Sequence, residues 1–149
     1  MTEITSTAET IAVRIPSRLE LLAVLDRVAD SVCERMEFDE DARMQVTMSV
    51  IEAGTNAIQH GHKRDVGKTV DIEFVMHPDQ LEILVHDSGN GFDPAALNGD
   101  VTSPEHLLDS RGRGIFIMKS CMDSVEFSFT STGTLCRLIK NRPGKADNA

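Results

Sequence analysis

The chain has 149 residues, 40% of them hydrophobic and 26% charged, which suits a single domain with a real core. Its net charge of −9 excludes a nonspecific nucleic-acid binder, which needs basic footing on phosphates, and fits meetings with other proteins. No apolar run approaches a membrane span, and the polar start lacks the basic residues of a signal peptide, so a cytoplasmic protein without membrane contact is expected.

In chain order, residues 1–10 read as a tail. Ile11 to Ile15 reads as a strand, stopped by Pro16. Ser17 offers an N-cap for a helix to about Arg35, with Leu21, Leu22, Leu25, Val28, Ala29 and Val32 at helical spacing. Asp39 offers a cap for a second helix, running to about His60 and stopped by Gly61. Two apolar stripes line that helix: Val46, Val50, Ala53 and Ala57, then Met44, Met48, Ile51 and Ile58. They predict burial on most sides, with Met44 and Met48 in the core. Between them runs a polar line of Gln45, Ser49, Glu52, Asn56 and His60, which a buried helix has to account for.

Thr69 to His77 alternates as a half-buried strand, Pro78-Asp79-Gln80 is a turn, and Leu81 to His86 alternates again as its antiparallel partner. Residues 94–110 read as a loop, Gly114 to Met122 as a short helix, and Val125 to Phe129 with Thr134 to Lys140 as two more strands. Residues 141–149 read as a second tail. Cys33, Cys121 and Cys136 are odd in number and far apart, so neither a disulfide framework nor a zinc site is expected. The reading is one domain over 1–149, of α+β class: a two-layer sandwich with a mixed, mainly antiparallel sheet and helices on one face.

Three places can carry chemistry. Glu52 and Asn56 stand one turn apart, roughly 6 Å, on one helix face. An amide oxygen is a hard ligand for Mg²⁺, and a carboxylate beside it can take a proton from a hydroxyl or orient a water; a solvated helix face is the plainer alternative. Asp87 ends an apolar strand before Gly89 and Gly91, where it can accept from an exocyclic amine such as adenine N6 or simply make an Asx turn. Gly112 and Gly114, with Arg111 and Arg113 between and before them, open a helical run where backbone N–H groups can receive phosphate oxygens. A glycine hinge is the alternative there, and residues 94–110 can then be a lid.

Other readings fail. Gly61 to Thr69 has one residue too many for a P-loop and runs from helix to strand, the reverse of that motif. His60 and His62 have no metal partners in the sequence, and Ser88 lacks the glycine that a nucleophile elbow requires.

Residues 52–57 (EAGTNA) resemble the N box of the GHKL ATPase superfamily. Asp87-Ser88-Gly89-Asn90-Gly91-Phe92 resembles its G1 box, Arg111 to Ile115 its G2 box, and Gly133-Thr134 its last nucleotide-contacting element. Residues 52–60 and 118–123 are further similar to bacterial anti-sigma-factor serine kinases. That resemblance implies ATP and Mg²⁺ as cofactors and a histidine-kinase-like ATPase fold. It implies Glu52 as general base, Asn56 as Mg²⁺ ligand and Asp87 as adenine reader. Gly89, Gly91 and Phe92 would shape the base pocket, Arg111, Gly112, Arg113, Gly114 and Ile115 would hold phosphates, and Thr134 would support the adenine end. It implies as partners a sigma factor and a STAS-domain anti-anti-sigma protein, phosphorylated on serine, and a homodimer. A non-catalytic, nucleotide-gated binding module is the competing reading. Phe92 stands where other G1 boxes have an aliphatic residue, and Gly54 where this branch often has Val.

Overall fold

Alternating apolar and polar residues build an antiparallel sheet, and three amphipathic helices cover its apolar face. The computed structural model describes residues 8–61, 67–87, 110–130 and 133–143. The strands are β1 (Glu9–Pro16), β2 (Thr69–Met76), β3 (Gln80–Asp87), β4 (Ser124–Thr130) and β5 (Gly133–Asn141). They lie in the order β1-β2-β3-β5-β4, and every neighbouring pair among the described residues is antiparallel. The helices are α1 (Leu22–Arg35), α2 (Glu40–Asn56) and α3 (Ser110–Cys121). No helix among the described residues is long and apolar enough to cross a membrane.

The register explains the layering. One row across the sheet is Val13, Ile72, Val85, Cys136 and Phe127, and the next is Ile11, Phe74, Ile83, Leu138 and Val125. These side chains share a face because strand residues alternate sides. They pack with Leu22, Leu25, Ala29 and Val32 of α1, Val46, Val50 and Ala53 of α2, and Ile115 and Met118 of α3. The row at the edge of that face is Ile15, Val70, Asp87 and Thr134, so two polar residues end an otherwise apolar surface. The opposite face carries cross-strand ion pairs, Arg14 with Asp71 and Arg137 with Glu82 and Glu126. Such exposed pairs set solubility and register more than stability.

Several element ends differ from the sequence reading. The first helix does not start at Ser17. That residue is buried, its N–H bonds Lys68 O, and a 3₁₀ turn (Leu19–Leu21) precedes α1. Asp39 does cap α2, accepting from the Ala42 N–H at 2.8 Å. The α-helical ladder of α2 ends at Asn56, and a π-helical turn (Ala57–Gly61) follows. β1 begins at Glu9, inside the segment expected as a tail, because Glu9 and Thr10 pair with Met76 and Val75. α3 begins at Ser110 rather than Gly114, so both Gly112 and Gly114 lie inside its first turns. Met44 and Met48 are not core residues: they are 54% and 42% exposed. These two fall between the flank of α2 that meets α1 and the flank that meets α3, whereas Ile51 of the same stripe is half-buried and Ile58 is in the core. The expected lid, the tail ends and His62 lie outside the described residues.

Gly54 sits in the middle of α2, where glycine costs about 1 kcal/mol relative to alanine. The reason is contact: a Cβ there would lie 2.7 Å from Leu22 Cδ2 and 3.5 Å from Leu25 Cδ2 of α1. Gly54→Val should therefore destabilise by about 1–3 kcal/mol, the usual cost of overpacking, read as a lower urea midpoint. Leu22→Ala in the same chain should recover part of that loss; strictly additive midpoints would show that the two positions do not press on each other.

Candidate active site

The polar line along α2 is met in part by β5 and α3. Lys140 Nζ donates to Gln45 Oε1 and to the Cys121 carbonyl, each at 2.6 Å, tying the start of α2 to the end of α3 and to β5. Ser49 Oγ donates to the Gln45 carbonyl at 2.8 Å. Further along, a Cβ on Gly114 would lie 2.7 Å from Glu52 Oε1 and 3.8 Å from Asn56 Oδ1. With Cys121 beside Gln45 and Gly114 beside Glu52, α3 runs antiparallel to α2. The missing side chain at Gly114 lets its backbone press against the carboxylate. The second glycine element thus meets the Glu52–Asn56 pair directly.

Asn56 closes a cleft with Ala53 and Ala57 below it and Val85, Asp87, Phe127, Thr134 and Cys136 across it on the sheet. Asp87 and Thr134 are register partners at the end of β3 and the start of β5. Asn56, Asp87 and Thr134 are all buried, at 7%, 6% and 3% exposure. Neither Asn56 Nδ2 nor Thr134 Oγ1 has a hydrogen-bond partner. Buried polar groups are nearly always paired, so two such groups lining one cavity call for a water or a polar ligand between them.

Burial raises the pKa of Glu52, opposed in part by the positive charge of Arg113. A carboxylate raised in this way is a stronger base than a solvated one, and it has Gly114 on one side and Asn56 on the other. Burial, and then the charge of Asp87, pushes the Cys136 thiol up to about 12, so it serves the cleft as a neutral wall.

The sequence-derived residues divide as follows. Glu52, Asn56 and Gly114 come together, and Asp87 and Thr134 come together across the cleft from Asn56. Gly112 is buried and Arg113 exposed in the first turns of α3, where Arg111 also falls. Ile115 is turned into the core, at 2% exposure. Gly89, Gly91 and Phe92 lie outside the described residues. Sequence reasoning passed over Cys136, Val85, Phe127, Ala53 and Ala57. Strand periodicity puts Cys136 on the same face as Thr134, and Ala53 and Ala57 flank Asn56 within one turn, but neither signal says which core positions border a cavity.

Asn56 on a helix thus faces Asp87 and Thr134 on adjoining strands, and Glu52, one turn from Asn56, lies against the glycine-bearing α3. The sequence profile of the histidine kinase-like ATPase domain matches residues 15–140, and the chain belongs to that family. Among its relatives, Serine-protein kinase RsbW of Bacillus mycoides (strain KBAB4) is 32% identical over 123 residues, 79% of this chain and 76% of the relative. Serine-protein kinase RsbW of Bacillus cereus (strain G9842) matches to the same extent. These similarities set the chain in the serine-protein kinase branch, a class of phosphotransferases.

A raised carboxylate pKa is also a statement about stability. Protonation of Glu52 favours the folded state, so its contribution is full below the unfolded-state pKa and is lost as pH rises through the folded-state value. Glu52→Gln should therefore melt higher than the parent chain at neutral and alkaline pH, with the gap closing as pH falls toward the ordinary carboxylate range. Melting curves across that window check it, and a gap that widens on acidification would contradict the burial of an ionised Glu52.

Proposed function

We propose that the chain is an ATP- and Mg²⁺-dependent serine kinase acting as an anti-sigma factor. Its substrate would be a STAS-domain anti-anti-sigma protein, whose phosphorylation controls release of the sigma factor. The observation that carries the reading is Glu52 pressed against Gly114 beside Asn56, opposite the buried Asp87–Thr134 pair. The partly buried carboxylate with raised pKa supports catalysis over mere binding, since a nucleotide-gated binder has no use for a base there. The relatives named as serine-protein kinases support the choice of acceptor.

The orphaned amide N–H and hydroxyl fit the hydrogen-bonding atoms of a nucleotide, and the amide oxygen of Asn56 is of the kind that holds its ion. When bound, Mg-ATP supplies the transferable phosphoryl group and a counter-charge for it. Asn56 would hold the ion through its side-chain oxygen, as hard oxygen ligands do. Asp87 would accept from the exocyclic amine of the base, with Thr134 beside it. The first turns of α3, carrying Arg111, Gly112 and Arg113, would meet the phosphates through backbone N–H groups and positive charge. Glu52 would accept the serine proton as the hydroxyl oxygen takes the γ-phosphoryl group and ADP leaves with the bridging oxygen. Gly89, Gly91 and Phe92 belong to the same proposed base pocket. The proposal includes one domain over 1–149, a homodimer and a cytoplasmic setting.

The test uses ATP labelled at the γ-phosphate with a STAS protein encoded near this gene. Label should appear on a serine of the partner. Glu52→Gln should cut that rate by about 10²–10⁴-fold, the span of general-base catalysis, with ATP affinity kept. Asp87→Asn should weaken ATP binding itself. Full-rate transfer by Glu52→Gln would remove the base assignment.

A further inference from the structure

Beside Glu52 runs an outward apolar ridge. Met44 and Met48 are 54% and 42% exposed, and Ile51 continues the stripe, half-buried. Met48 stands one turn before Glu52 on α2, as Asn56 stands one turn after it. The other sides of that carboxylate are occupied. α3 fills one flank through Gly114, and Asn56 leads into the cleft. On the far flank of α2, α1 is fastened by Arg43, whose Nε and Nη2 donate to Asp30 at 3.1 and 2.9 Å.

We infer that the Met44–Met48–Ile51 ridge is where the protein carrying the acceptor serine docks, an inference that rests on the kinase reading and names the seat of its substrate. A serine hydroxyl has to come within about 3 Å of Glu52 to give up its proton. The hydroxyl stands one bond beyond Cβ, so the backbone bearing it, and the surface around it, settles within about a turn of Glu52. Met48, at that distance, opens an exposed apolar surface that Met44 extends by a further turn. A single exposed hydrophobic is ordinary on any surface. Two exposed methionines in line with the base, one and two turns away, form a patch continuous with the site. Methionine side chains are unbranched and polarisable, which suits a surface that must accept a partner and let it go. The occupant is accordingly a folded protein presenting its serine among apolar side chains.

The experiment is steady-state phosphorylation of the STAS anti-anti-sigma protein of the same genome by the full chain carrying Met44→Asp and Met48→Asp. The expected result is a rise of about tenfold or more in KM for the protein acceptor, the loss typical of central interface side chains. The rate at saturating acceptor and the affinity for a fluorescent ATP analogue should be unchanged, which also shows that the variant is folded. Met44→Leu with Met48→Leu should restore KM. Val24→Asp, on α1 at 51% exposure, should leave it unaltered. An unchanged KM in the double aspartate variant, or an equal rise in Val24→Asp, overturns the ridge and leaves the kinase reading standing. A parent chain that binds the analogue yet labels no acceptor serine overturns the kinase reading and the ridge with it.

Discussion

The candidate site depends on two helices meeting more closely than side chains ordinarily permit. With a Cβ at position 114 only 2.7 Å from Glu52 Oε1, any residue but glycine would displace either the carboxylate or α3. Glycine inside a helix costs about 1 kcal/mol against alanine, and here the close contact offsets it. One constraint accounts for several features at once. It sets where Glu52 can point, it keeps that carboxylate partly dry and its pKa raised, and it brings the start of α3 beside Asn56. The same device recurs at Gly54, where α1 rests on α2. Both neighbours of α2 are therefore seated through glycine contacts, one for packing and one for chemistry.

The sheet answers with its own exception. Its helix-facing side is apolar row after row until the last, where Asp87 and Thr134 stand opposite each other. A buried polar group without a partner costs on the order of 1–3 kcal/mol, and Thr134 Oγ1 at this edge and Asn56 Nδ2 facing it are such groups. A ligand that pairs with these groups binds the folded chain and not the unfolded one, and so stabilises it by mass action.

Much of this was legible in the sequence because periodicity reports facing. The alternation in Thr69–His77 and Leu81–His86 gave the hairpin, and the polar line on α2 announced that something other than hydrocarbon packs against it. Spacing grouped Glu52 with Asn56, and the resemblance of the boxes joined both to the glycine pair of α3. What spacing could not give is what lies on the outside. Met44 and Met48 read as core because a stripe shows which residues share a face and not which face a neighbour covers. Ser17 read as a cap because its type suits one, yet tertiary contact buried it and moved the helix start to a 3₁₀ turn. Cys136 reads only as a strand residue, since a cavity is a property of several elements together, here α2 with its π-helical turn and β3, β4 and β5.

Lys140 holds the far end of α3 with one ammonium group, bound both to Gln45 and to the last residue of that helix. In mechanical terms α3 is a lever. It is tied down at Cys121, and its other end is the glycine-bearing turn that rests on Glu52. A small rotation about that tie moves the Cys121 end hardly at all and the Gly114 end most, so any tilt of this rod is read out as a change in the gap over the carboxylate. The stiffness of a lysine tether at the bottom of the molecule thus sets how accurately the top of it is placed.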